Sequence, residues 1–247
     1  KAEYAIGQVD IENLPKDIQE DVKKLKEQMP LVSKTLSYID NASQVLLEIL
    51  GGNGQRKYLF VFQNNREIRA TGGFIGSYAV LDVKSGKVKK LKIGGIYNPS
   101  FWLKENIVPP KPFWATVRRW EIQDANWFAD FPLSAQKVSW FYEKCGGPSV
   151  DGVITMTPDV ISKILELTGP IPLPEYNAVI DSNNFFLETQ KQVDLKYDKE
   201  ENCPKKFIAD LAPKLFNKLS ELSLDKSWQV FEILNQALIQ KDILLYL

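Results

Sequence analysis

The sequence predicts an α/β protein, a three-layer αβα sandwich around a central mixed sheet, with additional helices at the N-terminus. Three observations carry this prediction. Short β-type apolar runs follow one another between Arg56 and Gly95, a strand-to-helix unit is punctuated by Pro158 and Gly169, and helical spacing recurs at both ends of the chain. The change from helical to strand periodicity near Arg56 divides the chain into a helical hairpin or stalk, residues 1–55, and the sandwich, residues 56–247.

In chain order, "LPKDIQEDVKKLKEQM" places Ile18, Val22, Leu25 and Met29 on one helical stripe. Pro30 is expected to end that helix, and a second one carries Leu36, Ile39, Leu46 and Ile49 up to "GGNG". The stripe suits either packing on the body or pairing in a coiled coil. "KYLFVF", "FIGSYAVLDV" and "KVKKLKIGG" read as strands, the last two joined by a hairpin at Lys84-Ser85-Gly86. A loop rich in proline and aromatic residues follows from Tyr97 to Trp114, then a short helix through "ATVRRWEI" and a longer one over Leu133–Tyr142. "VDGVITM" is a strand, Thr157 an N-cap, Pro158 the first helical residue and Gly169-Pro170 the stop. "AVID", a helix from about Ser182, a polar gap to Asn202, two helices to Gln240 and a terminal strand "ILLYL" complete the set.

Composition narrows the chemistry. Of 247 residues, 44% are hydrophobic and 25% charged, with 31 basic and 31 acidic side chains. Zero net charge without a basic block argues against a nucleic-acid partner, because phosphate-backbone binding needs a positive face. Histidine is absent, which removes Ser-His-Asp and Cys-His activation and histidine-ligated zinc together. Cys145 and Cys203 are too few for a zinc cluster and can be either a disulfide or two buried thiols. No apolar run is long enough to span a bilayer. The chain opens at Lys1 rather than Met, so an upstream membrane anchor is expected.

The densest polar chemistry follows the first strand, in "QNNREIRATGGFIGSYAVL". Arg66 and Arg69 supply planar donor forks suited to phosphate or carboxylate, beside Asn64, Asn65 and Thr71. Gly72-Gly73 lets backbone N–H groups approach a ligand. The segment reads as an anion-facing loop; the competing reading is a structural plug in which Glu67 pairs with an arginine and the amides satisfy loop carbonyls. In "QDANWFADFP", Asp124, Asn126 and Asp130 suit a hard cation such as Mg²⁺, which takes one or two carboxylates plus phosphate oxygens and water; equally, Asp124 suits a turn and Asp130 a helix cap. Trp127 and Phe128 fit core packing, or a platform for a sugar or lipid. Lys205 and Lys206 stand at a helix start, where cations are disfavoured unless an anion is bound nearby, or are simply solvated.

Three segments, "QNNREIRATGGFIGSYAVLDVKSGKV", "DANWFADFPLSAQKV" and "VDGVITMTPDVISKILELTGPI", resemble an uncharacterised bacterial family of extracytoplasmic domains of unknown function. Members of that family run closer to "ELRPTGGFIGS" and "RDANWSPDFP"; this chain has Ala70, Gln123 and Ala129 where they have Pro, Arg and Pro. The element order is also similar to the LytR-CpsA-Psr phosphotransferases, which use Mg²⁺, Asp and Arg to attach lipid-pyrophosphate-linked glycans to the cell wall. That resemblance implies a Mg²⁺-dependent glycan phosphotransferase, or a domain that binds a phosphorylated or pyrophosphate-linked glycan or lipid carrier, anchored outside the cytoplasmic membrane. It aligns Arg66 and Arg69 with pyrophosphate ligands, Asp124 or Asp130 with metal ligands, and Lys205 and Lys206 with a later arginine cluster. The rival expectation is a non-catalytic surface or assembly module in which the loop from Tyr97 to Trp114 contacts a protein partner.

Overall fold

The computed structural model describes residues 2–100, 102–192 and 206–247, giving backbone alone at 2, 3, 35, 36, 38, 39, 41 and 42. Cys203 and Lys205 lie outside the described residues. The sandwich is present: a mixed sheet of five strands carries helices on both faces.

β1 (Arg56–Asn64) is central, pairing antiparallel with β2 (Phe74–Lys84) and parallel with β4 (Gly152–Met156). β3 (Lys87–Gly95) closes one edge beside β2, and β7 (Ile243–Tyr246) closes the other antiparallel to β4. The terminal "ILLYL" therefore completes the sheet. β3 keeps Lys87, Lys89, Lys90 and Lys92 exposed, which blunts an otherwise open strand edge.

Alternation along the strands sorts the two faces. Leu59 and Val61 of β1, Tyr78 and Val80 of β2 and Val153 of β4 pack with α4 (Phe131–Lys144) and with Trp120, Ile122 and Leu103 from the long connection. In that connection the predicted helix through "ATVRRWEI" does not form; two 3₁₀ turns, Lys111–Phe113 and Ile122–Asp124, stand there, after a helical turn α3 (Tyr97–Ser100). Arg119 holds the path instead, pairing with Glu121 and donating to the carbonyls of Leu103 (3.0 Å) and Ser100 (3.4 Å). Cys145 sits in this core as a free thiol, and burial pushes its pKa up to about 11.

The second face is covered by α5 (Pro158–Thr168), α6 (Phe185–Gln190), α7 (Lys206–Ser220) and α8 (Leu224–Ile239), with the small hairpin β5 (Ile171–Leu173) and β6 (Ala178–Ile180) behind them. Thr157 starts α5, but its hydroxyl donates to Asp242 (3.3 Å) rather than to the helix. Gly169 ends α5 at φ +75°, a left-handed conformation that glycine tolerates best.

At the N-terminus, α1 (Ala2–Gly7) is followed by α2 (Lys16–Ile49), one continuous helix where two were expected. Pro30 does not interrupt it. The residue is exposed, and a proline that forfeits one backbone bond on a solvated face bends or weakens a long helix without having to end it. No helix among the described residues is long and apolar enough to cross a membrane.

Candidate functional site

The helices on the second face do not fill the space above the sheet. A cavity of about 1160 Å³ lies between β1–β3 and α5–α8. Phe60 and Phe62 of β1 form part of its floor with Ala79, Leu81 and Ile93, while Leu211, Leu215 and Leu234 reach it from the helices. Phe60 and Phe62 are only half-buried despite lying on the central strand, which is the trace that incomplete packing leaves.

One end of this cavity is polar. Gln63, Asn64, Glu67, Tyr97, Asn98 and Thr157 line it where β1 opens into the loop of residues 65–73. A register shift between Phe62 and Gln63 turns Gln63 inward, 2% exposed, and its amide donates to Thr71 Oγ1 at 2.8 Å. Asn126 Nδ2 also donates to Thr71 Oγ1 (3.1 Å) and to the Gly73 carbonyl (2.8 Å). Thr71 and Asn126 are buried, so their bonds shape the loop from within. Gly73 is glycine because β1 passes against it: an added Cβ would stand 2.3 Å from the Asn64 carbonyl oxygen. Gly72 adopts φ +119°. Thr71, Gly73 and Asn126, expected to face a ligand, are buried against one another inside the loop, while Gly72, expected to do the same, is exposed.

The outer residues differ. Asn64 Oδ1 accepts from the Arg66 N–H, and its Nδ2 donates to Glu67 Oε1 at 2.9 Å, so Glu67 is held by an amide rather than taken up by an arginine. Asn65 Nδ2 reaches Asp159 in the first turn of α5 at 2.6 Å, fastening the loop to the helix layer. Arg66 is exposed; its guanidinium lies 4.1 Å from the ring of Phe186, itself a cavity residue, and has no carboxylate partner among the described residues. Arg69 donates to its neighbour's carbonyl, Ile68, at 3.0 Å and stands 4.0 Å from Asp124 Oδ1, while its buried Nε has no partner among the described residues. A pair at 4.0 Å is attractive but too long for a hydrogen bond.

Burial raises the Asp124 carboxyl above the usual carboxylate range, Arg69 pulls it back, and Glu121 adds to the rise. The folded state therefore binds this proton more tightly than the unfolded chain does. Its contribution is fully present below the unfolded pKa and is lost as pH rises through the elevated one. Asp124→Asn is accordingly expected to melt at or above the parent temperature at pH 7, by about 1.4 kcal/mol for each pK unit of elevation. That advantage shrinks as pH falls through the window above 3.8, and thermal melts across pH read it.

Asp130 starts α4. Its carboxylate accepts from Leu133 N at 3.2 Å and caps α4, the role its position before Phe131-Pro132 also allowed. No cluster of three or more His, Cys, Asp or Glu side chains suited to a metal exists among the described residues. With Asp130 committed to the cap, Asp124 is the carboxylate of the expected pair that remains for a cation. Lys206 opens α7, the helix whose next turns wall the cavity. Sequence reasoning overlooked Tyr97, Asn98 and Phe186. Tyr97, an exposed residue of the rim, is coupled to Asp124 and Arg69: partial desolvation raises its pKa, Asp124, Glu67 and Glu121 add to the rise, and Arg69 opposes it.

Comparison with known families matches residues 53–193 to the family described as protein of unknown function, DUF4012. That stretch is more than half the chain and contains the loop, the "DANW" segment and the strand-helix unit. The chain belongs to the DUF4012 family. Among solved structures, the DUF4012 chain is similar to protein gbs0355 from Streptococcus agalactiae, with a TM-score of 0.51, 12% identity, and coverage of 78% of this chain and 68% of that one. It is also similar to B. subtilis TagV (TM-score 0.46, 12% identity, 77% and 73% covered) and to Lin1025 from Listeria innocua (0.45, 11%, 78% and 72%). At 12% identity the likeness to gbs0355 speaks to the fold alone. No curated protein matches the DUF4012 chain.

Proposed function

We propose that this DUF4012 domain binds an amphiphile with an anionic, phosphate-type head and a long apolar tail: a lipid carrier of a phosphorylated or pyrophosphate-linked glycan at the cell envelope. One observation carries the reading. An apolar cavity of about 1160 Å³ ends at polar residues of the loop that also carries Arg66, stacked on the cavity residue Phe186 with no carboxylate partner among the described residues, and Arg69, whose buried Nε has no partner there either. Burying such a donor unsatisfied is costly, and an anion at Arg69 would satisfy it. The cavity removes the tail from water at about 25 cal/mol per Å² of apolar surface. The resemblance to the LytR-CpsA-Psr phosphotransferases supports the cell-envelope setting, an anchor outside this chain, and transfer of the carried group as the further step. Mg²⁺ enters only as a companion of the phosphate, since Mg²⁺ keeps its waters and favours sites completed by phosphate oxygens.

The test is thermal stabilisation by a prenyl phosphate, a prenyl pyrophosphate, the matching prenol and inorganic pyrophosphate, each with and without Mg²⁺. A hundredfold excess over Kd stabilises by about 2.7 kcal/mol. The phosphorylated prenyl compounds are expected to raise the melting temperature more than prenol or pyrophosphate alone. Arg66→Ala and Arg69→Ala should each weaken that effect by about 1.5–3 kcal/mol, the range for hydrogen bonds to charged groups. Unliganded Arg66→Ala should stay within about 0.5 kcal/mol of the parent, as for other surface changes. Equal shifts from prenol and prenyl phosphate, or shifts indifferent to both arginines, would remove the anion-binding half of the proposal.

A further inference from the structure

The long helix α2 carries a second regularity that the sandwich does not use. Ile18, Val22, Leu25, Met29, Val32, Leu36, Ile39, Leu46 and Leu50 follow one another at alternating steps of four and three residues, with Ser43 filling the remaining position. This is a period of 3.5, the repeat of a coiled coil, whereas a straight helix lying on a globular surface follows 3.6.

Among the described residues, little covers the seam. The body holds α2 at its last turn: Arg56 pairs with Glu48 (2.6 Å), Tyr58 Oη donates to the Ile49 carbonyl (2.7 Å), and the β2–β3 turn donates from Ser85 and Gly86 to the carbonyls of Gly51 and Leu50. At the other end, Lys26 Nζ donates to the carbonyls of Gly7 (3.1 Å) and Val9 (2.7 Å), and Gln19 donates to Leu14 (2.8 Å), so α1 and its loop lie along one flank. Val22 and Met29 are half-buried there. The other row of the seam stays open: Ile18, Leu25, Val32 and Leu46 are 40, 47, 47 and 55% exposed.

We propose that α2 is a self-association element, on which a second copy of this chain lays its own α2, parallel and in register. Charge favours a second copy over a charged partner. Between Leu31 and Leu50 the charged residues are Lys34, Asp40 and Glu48, and Glu48 already pairs with Arg56. Over this half of the seam two copies meet without like-charge repulsion, while an acidic or basic partner would find little there to complement. The flanking positions Ser33, Thr35 and Ala42 are small, so the helices can approach closely. Ser43 sets the register, because a lone polar residue in an apolar seam is best placed opposite its own copy. Pro30 falls outside the seam positions. This inference is independent of the lipid proposal, since it involves neither the cavity nor its rim.

Sedimentation equilibrium of the full chain at micromolar concentrations is expected to show a dimer. Val32→Glu and Leu46→Glu should each raise the dissociation constant at least tenfold, with unchanged far-ultraviolet circular dichroism, whereas Gln44→Lys, one step off the seam, should not. Ser43→Cys should cross-link two chains on mild oxidation and release them on reduction, with the parent chain as control for its own cysteines. A monomeric parent overturns the proposal, whether or not that monomer binds lipid vesicles. So does a dimer that survives both glutamate variants, or one in which Ser43→Cys fails to cross-link.

Discussion

Gly73→Ala is expected to lower the melting temperature by roughly 6–12 °C, corresponding to about 3 kcal/mol at the 2–4 °C per kcal/mol typical of a chain of this size. The added methyl group would stand 2.3 Å from the Asn64 carbonyl oxygen, 2.4 Å from its carbon and 2.7 Å from the Asn65 nitrogen. All three are backbone atoms, so no side chain can rotate away. β1 would have to separate from the start of β2, where Asn64 faces Phe74. The bond from Asn126 to the Gly73 carbonyl and that from Phe74 N to the Glu67 carbonyl (2.9 Å) would weaken with it. Gly7→Ala, with nothing within 4 Å of the new atom, is the control and should be close to neutral. Because the loop carries Arg66 and Arg69, Gly73→Ala should also disturb prenyl-phosphate binding beyond its effect on stability. A melting curve matching the parent would mean that the loop is looser than these distances require.

How far the fold could be read in advance depended on the range of the interactions that decide it. β1 to β3 announce themselves by local alternation and the Lys84–Gly86 turn, and α5 by Pro158 and Gly169, because strand pleat and helix punctuation are written within a few residues. The region around Arg119 misled because its local composition suits a helix, while its path is set by bonds reaching 16 and 19 residues back to Leu103 and Ser100. α2 misled in the opposite direction: proline's intrinsic cost was allowed to end a helix that a 34-residue run of otherwise compatible residues sustains.

The site divides along the same line. Residue chemistry alone points to Arg66 and Arg69 as candidate anion ligands; in the structure Arg66 stacks on the cavity residue Phe186 and Arg69 stands near the buried Asp124. The same chemistry placed Thr71, Gly73 and Asn126 among the ligands, since hydroxyl, glycine and amide look alike whether they face a substrate or one another. What separates the two cases is the contact from Asn126 back across 55 residues to Thr71, which no local pattern encodes. Asp130 is the reverse case, a carboxylate whose local position as an N-cap outweighed its possible membership of a distant cluster. The cavity itself had no sequence signature beyond Phe60 and Phe62 on the second face of a central strand. An unfilled volume is a property of how α7 and α8 meet the sheet.

That volume makes Ala79→Phe the most informative substitution for function. Ala79 lies on β2 between Phe60 of β1 and Ile93 of β3 in the strand register, and all three line the cavity floor. Ala79 is itself only 1% exposed beside those two larger neighbours, and the cavity lies beyond them, so a phenyl ring that passes between them should incur less than the overpacking cost of about 1–3 kcal/mol in a filled core. The ring should instead gain contacts, leaving stability within about 1 kcal/mol of the parent or above it. Ala135→Phe is the matched comparison: Ala135 is fully buried on α4 against the other face, where the core is packed, and the same change there should incur the full penalty. For binding the order reverses. Ala79→Phe takes the middle of the floor from any apolar tail and should weaken prenyl phosphate at least tenfold, about 1.4 kcal/mol, while pyrophosphate, which would use the rim alone, is unaffected. If Ala79→Phe is as destabilising as Ala135→Phe, the helices close over the sheet in solution and there is no room for a tail. If it is stable and prenyl phosphate still binds with parental affinity, the tail lies elsewhere, and the rim arginines serve an anion that has no lipid attached.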